Sequence, residues 1–174
     1  MDLSKVSFWM AGRYATNCVE ISDDPASLNK AGFWAVVNTF EGKWICARFK
    51  DVQDMPLPKV PWQSIETAWQ SSQSAAEYQS NVALIKDQIA AGDIYQVNLC
   101  RVLSADCDQG LQGLANRLQL ENPAPYASYF KLPGLEIASA SPELFLHRQG
   151  DLIKSTPIKG TSATEEFGEK LQSA

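Results

Sequence analysis

The chain has 174 residues, of which 45% are apolar and 20% charged. That is the size and composition of a globular domain and excludes a disordered or collagen-like polymer. A formal net charge of −5 argues against the broad basic face that nucleic-acid binding needs. No apolar run approaches the ~20 residues that span a bilayer. The start, Met1-Asp2-Leu3-Ser4-Lys5, lacks the basic and apolar regions of a signal peptide, so a cytoplasmic protein without membrane contact is expected.

The first third reads as β. Phe33 to Phe40 and Trp44 to Phe49 are rich in aromatic and β-branched residues, and Glu41-Gly42-Lys43 between them supplies a hairpin turn. Met55 to Pro61 holds three prolines in seven residues and reads as an extended linker. We therefore expect a β-rich region over 1–70 and a second region over 71–174. Ser74 with Glu77 forms a capping box. Tyr78, Val82, Ile85 and Ile89 then mark one face of a helix, which Gly92 ends. Tyr95 to Val102 alternates like a strand. A second helix carries Leu111, Leu114, Ala115 and Leu118 and must stop before Asn122-Pro123-Ala124-Pro125. Strands follow over 126–131, 135–140, 144–148 and 152–155. Their short turns, at Pro133-Gly134 and around Gly150, imply antiparallel neighbours. The fold class expected is α+β, an antiparallel β-sheet with helices on one face.

Four cysteines (Cys18, Cys46, Cys100, Cys107) and a single histidine, His147, show no zinc-site spacing. The cysteines are expected to be reduced and mostly buried. His147 lies in an alternating strand and reads as a strand-surface residue, against the rival reading of a catalytic base. Trp9, Trp34, Trp44, Trp62 and Trp69 read as packing residues. Asp23-Asp24 and Glu165-Glu166 read as solvated surface, so no metal ligands are assigned within the chain.

The chemistry centres on Ser141-Pro142-Glu143 and Pro157-Ile158-Lys159-Gly160-Thr161. Glu143 lies seven residues before Gly150 and Lys159 nine after it. An antiparallel hairpin returns both to the same end, within reach of a lysine side chain. Pro142 and Pro157 cannot donate to the ladder, so pairing should loosen there. The amine attacks only when neutral, and its ordinary pKa is about 10.4. An ionised Glu143 nearby would hinder that. The pair therefore needs desolvation, a further cation, or a protonated Glu143 acting as general acid. Spacing alone leaves a solvated surface pair, worth about 0–1 kcal/mol, as the alternative.

Four strings in order, Ala91 to Leu99, Asn122 to Tyr126, Ser139 to Glu143 and Pro157 to Thr161, resemble the chorismate-utilising enzymes. The resemblance covers residues 74–161, and the β-rich part more loosely. It implies that this α+β sheet is part of the larger chorismate-binding (anthranilate synthase-like) fold. It further implies that Lys159 attacks chorismate and Glu143 protonates the departing hydroxyl, with Gln96, Gly160 and Thr161 binding substrate. The lysine centred in Pro157–Thr161 resembles the family members that form aminodeoxychorismate. Anthranilate synthases usually carry a small residue there and remain the alternative. Isochorismate and salicylate synthases usually carry a lysine where this chain has Gln96.

The resemblance also implies a glutamine amidotransferase partner that supplies ammonia, and Mg2+ held by glutamates of a C-terminal segment beyond this chain. Some members bind tryptophan against an Asn-Pro-x-Pro-Tyr string. Pro125 and Tyr126 would line such a pocket, but no matching N-terminal Leu-Leu-Glu-Ser-type string is found, so a plain turn is the rival reading. Residues 164–174 begin like a helix without a C-cap. Together these features suggest a chain cut inside a longer fold and inactive by itself. A non-catalytic module that binds a partner through exposed half-core is the rival from another class.

Overall fold

The computed structural model describes residues 2–158. The strands are β1 (Ser7–Met10), β2 (Arg13–Ser22), β3 (Phe33–Asn38), β4 (Trp44–Asp54), β5 (Gln70–Ser71), β6 (Leu103–Ser104), β7 (Ser128–Leu132), β8 (Leu135–Ser139), β9 (Leu144–Gln149) and β10 (Leu152–Thr156). The helices are α1 (Ala75–Ala91) and α2 (Gln112–Glu121). Gln63–Gln109 form one unit, and the residues on either side of them form the other.

The larger unit is built on a six-stranded antiparallel sheet in the order β3-β4-β2-β1-β7-β8. It joins strands from before and after the proline-rich stretch. The hairpin of β3 and β4 forms where the sequence places it, with Gly42 at φ +81°. The β1–β2 hairpin was not anticipated. Met10 pairs with Arg13, and Ala11 and Gly12 between them have φ of 51° and 79°. Two consecutive positive φ values make the tight turn whose twist matches a hairpin. Ala-Gly is a weaker signal for it than Asn-Gly.

Alternation along β1 and β7 sorts the core onto two faces. Phe8 pairs with Phe130, and Trp9 with Tyr129. On the first face Phe8 meets Phe130 edge-on at 5.4 Å, beside Phe33 and Phe49. Ala15, Ala35, Ala47 and Cys18 are buried among them. Small residues on neighbouring strands leave room for the four rings. On the second face Trp9, Tyr129 and Ala127 pack with Ala115 of α2 and Leu57 of the proline-rich strap. The six-stranded sheet and α2 thus have the α+β form expected.

The strap is held by hydrogen bonds, since its prolines cannot enter a ladder. Trp9 Nε1 donates to Met55 O at 3.1 Å, and Gln112 Nε2 to Pro58 O at 2.8 Å. Val60 N donates to Asn116 Oδ1 at 2.9 Å. Gly113 permits this approach: a Cβ there would fall 2.5 Å from Pro61 O.

In the smaller unit, α1 has the ends that the sequence specifies. Glu77 N donates to Ser74 Oγ at 3.2 Å, and Ser74 N to Glu77 Oε2 at 2.7 Å. Gly92 closes the helix at φ +82°. Its apolar stripe is less covered than expected. Tyr78 and Ile85 are half-buried, whereas Val82 and Ile89 are exposed. The strand expected over 95–102 does not form. Only Leu103–Ser104 pairs, with Gln70–Ser71. Alternation marks a segment able to join a ladder, but a strand needs a neighbouring edge to bond. Among the described residues no ladder forms along 95–102, and only its last residue makes a backbone bond on the β5 side, Ser72 N donating to Val102 O at 2.9 Å.

Candidate active site

The larger unit ties together two of the four strings singled out in the sequence, Asn122–Tyr126 and Ser139–Glu143, and carries Pro157, the first residue of a third, at the end of the same hairpin. α2 stops at Glu121, and Ala127 N donating to Ala124 O at 3.1 Å closes the turn that follows. Tyr126 N then donates to Ser141 O at 3.1 Å. This bond ties the Asn122–Tyr126 turn to the Ser139–Glu143 string. Ser141 Oγ donates to Glu143 O at 3.3 Å and fixes the backbone just ahead of β9.

From Glu143 the chain enters the β9–β10 hairpin. Gln149 pairs with Leu152, and Gly150 turns the corner at φ +59°. The ladder runs through His147 opposite Lys154 and ends at Leu144 opposite Thr156. Glu143 and Pro157 are thus the first residues past the last pair on their respective strands. β10 stops directly before Pro157 and β9 begins two residues after Pro142, so the ladder ends where neither proline could donate a bond. Between the pairs Lys154↔His147 and Thr156↔Leu144 a bulge gives β9 one residue more than β10 and sharpens the local twist. Lys159, Gly160 and Thr161 lie outside the described residues, which end two positions past Thr156.

Glu143 is exposed, as is Pro125, while Tyr126 is half-buried. His147 is exposed on its strand. Gln96 belongs to the smaller unit, where it is exposed in a segment without regular structure. The hairpin itself is apolar and open: Phe145 is 88% exposed, Leu152 78% and Ile153 65%. Trp9 is buried, whereas Trp69 is exposed. Cys18 and Cys46 are buried, whereas Cys100 and Cys107 are exposed. Burial raises the thiol pKa of Cys18 and makes it a poor nucleophile.

One anchoring residue was not anticipated. Glu136 on β8 accepts hydrogen bonds from Leu111 N at 2.8 Å and Tyr129 OH at 2.8 Å, and pairs with Lys131 Nζ at 3.2 Å. It joins β7, β8 and the start of α2. Burial pushes its carboxyl up, but the bonds from Tyr129, Leu111 and Lys131 outweigh that and hold it below the ordinary value. Burial, then the adjacent carboxylate, pushes the Tyr129 phenol well above its ordinary value. The sequence signal was slight: one acid in the alternation Leu135-Glu136-Ile137, with Lys131 before the turn.

Among the described residues, no group of three or more His, Cys, Asp and Glu side chains is placed to hold a metal ion. These residues do not by themselves fit a magnesium site. Nor is any helix among them long and apolar enough to cross a membrane.

The family model for chorismate binding enzymes matches residues 33–173. The chain is 36% identical over 108 residues to anthranilate synthase component 1 1 of Haloarcula marismortui, covering 62% of this chain and 22% of that protein. It is 31% identical over 116 residues to aminodeoxychorismate synthase component 1 of Salmonella typhimurium, covering 66% and 25%. It is 35% identical over 89 residues to the protein of that name from Bacillus subtilis, covering 51% and 19%. The chain thus spans about a quarter or less of the length of these relatives. No solved structure gives a significant match.

Proposed function

We propose a function from one premise: this chain belongs to the chorismate binding enzyme family. Within that family we read it as part of an aminodeoxychorismate synthase component I. The parent enzyme would convert chorismate and ammonia to 4-amino-4-deoxychorismate, on the route to p-aminobenzoate and folate. The observation that carries this reading is the lysine at the centre of Pro157-Ile158-Lys159-Gly160-Thr161. Gln96 supports it, standing where isochorismate- and salicylate-forming relatives usually carry a lysine.

In this reading the neutral Lys159 amine attacks C2 of chorismate. Both ring double bonds shift, from C1=C2 and C5=C6 to C1=C6 and C4=C5, and the C4 hydroxyl departs as water, taking a proton from Glu143. Ammonia then adds at C4, both double bonds shift back, and the lysine leaves C2. Glu143, now a carboxylate, receives the proton that ammonia gives up. One difficult displacement becomes two easier ones. Gln96, Gly160 and Thr161 bind the substrate. The ladder's end beside Glu143 and Pro157 supports the idea that carboxylate and amine share one end of the hairpin. Glu143 is exposed, so the dry environment that the chemistry needs must come from groups that cover this end. A glutamine amidotransferase subunit is the proposed ammonia source. Mg2+ remains a proposed cofactor, with ligands other than the described residues, and no step above runs through it.

Relatives named anthranilate synthase component 1 favour a second reading, in which the parent enzyme makes anthranilate. The test is product identity. The protein carrying this segment, given chorismate, ammonium and Mg2+, should yield 4-amino-4-deoxychorismate, and anthranilate as product would select the second reading. The 174-residue chain alone should give little or no product.

A further inference from the structure

We draw no further inference here: the strongest candidate, the largely apolar groove of about 500 Å3 between the proline-rich strap (56–62) and α2, flanked by Lys59 and Arg117, carries nothing because nothing in the structure shows what covers it.

Discussion

Tyr129 donates its phenolic proton to Glu136 Oε2 at 2.8 Å, a diagonal contact between adjacent strands. The pairs Tyr129↔Ala138 and Lys131↔Glu136 put both side chains on one face. The same oxygen accepts from Leu111 N at 2.8 Å, so one carboxylate orients the start of α2. The far end of that helix leads into the Asn122–Tyr126 turn, which bonds to Ser141. An anchor remote from the hairpin therefore helps to set where the Ser139–Glu143 string lies.

Glu136→Gln removes the charge and leaves one acceptor for several donors. It should destabilise the fold by about 1–3 kcal/mol, the usual loss for hydrogen bonds to a charged, half-buried group. Urea denaturation at neutral pH measures this. An unchanged midpoint would show that the anchor is dispensable.

The same pair sets two pH limits. The folded-state pKa of Glu136 is lowered, so its contribution is complete above the unfolded carboxylate value of about 4.3 and fades as pH falls through the folded one. Tyr129 is shifted upward. Its contribution is complete below the unfolded phenol value of about 10 and fades as pH rises toward the folded one. Thermal melts of the wild type from pH 3 to 11 should lose stability at both ends. Tyr129→Phe should remove much of the alkaline loss, at the cost of one bond at neutral pH.

Gly113→Ala tests the contact between α2 and the strap. The added methyl would meet Pro61 O at 2.5 Å. The helix gain of alanine, about 1 kcal/mol, is opposed by an overpacking cost of about 1–3 kcal/mol. Net destabilisation, or a shift in Trp62 fluorescence with the strap displaced, is expected. A more stable variant with unchanged fluorescence would contradict the tight approach.

Much of this was legible in the sequence because local chemistry decides it. The Ser74–Glu77 capping box, the Gly42 hairpin and the Gly150 turn each depend on residues a few positions apart. What was not legible depends on distant partners. Ser7–Met10 is a strand because Arg13–Ser22 and Ser128–Leu132 flank it, and nothing local announces that. Residues 95–102 show the opposite case, an alternating pattern without a ladder among the described residues. Glu136, like Ser7–Met10, is of the first kind, since its bonds come from β7 and from the start of α2. At the candidate site, proline chemistry correctly marked the end of the β9–β10 ladder.

Glu143→Gln should lower the amination rate in the protein carrying this segment by about 100-fold or more, the usual contribution of a positioned general acid. Chorismate affinity should change far less. Steady-state kinetics separates the two effects, since a group acting on the departing hydroxyl lowers kcat more than it raises KM. An unchanged kcat would remove Glu143 from the proposed chemistry.

The central claim is that the amine of Lys159 bonds to the substrate. Protein carrying this segment, mixed with chorismate and quenched without ammonia, can be digested and its peptides weighed. The account predicts an added mass equal to chorismate less water on the peptide containing Lys159, lost in Lys159→Ala together with amination. Full amination by Lys159→Ala, with no modified peptide in the wild type, would contradict it.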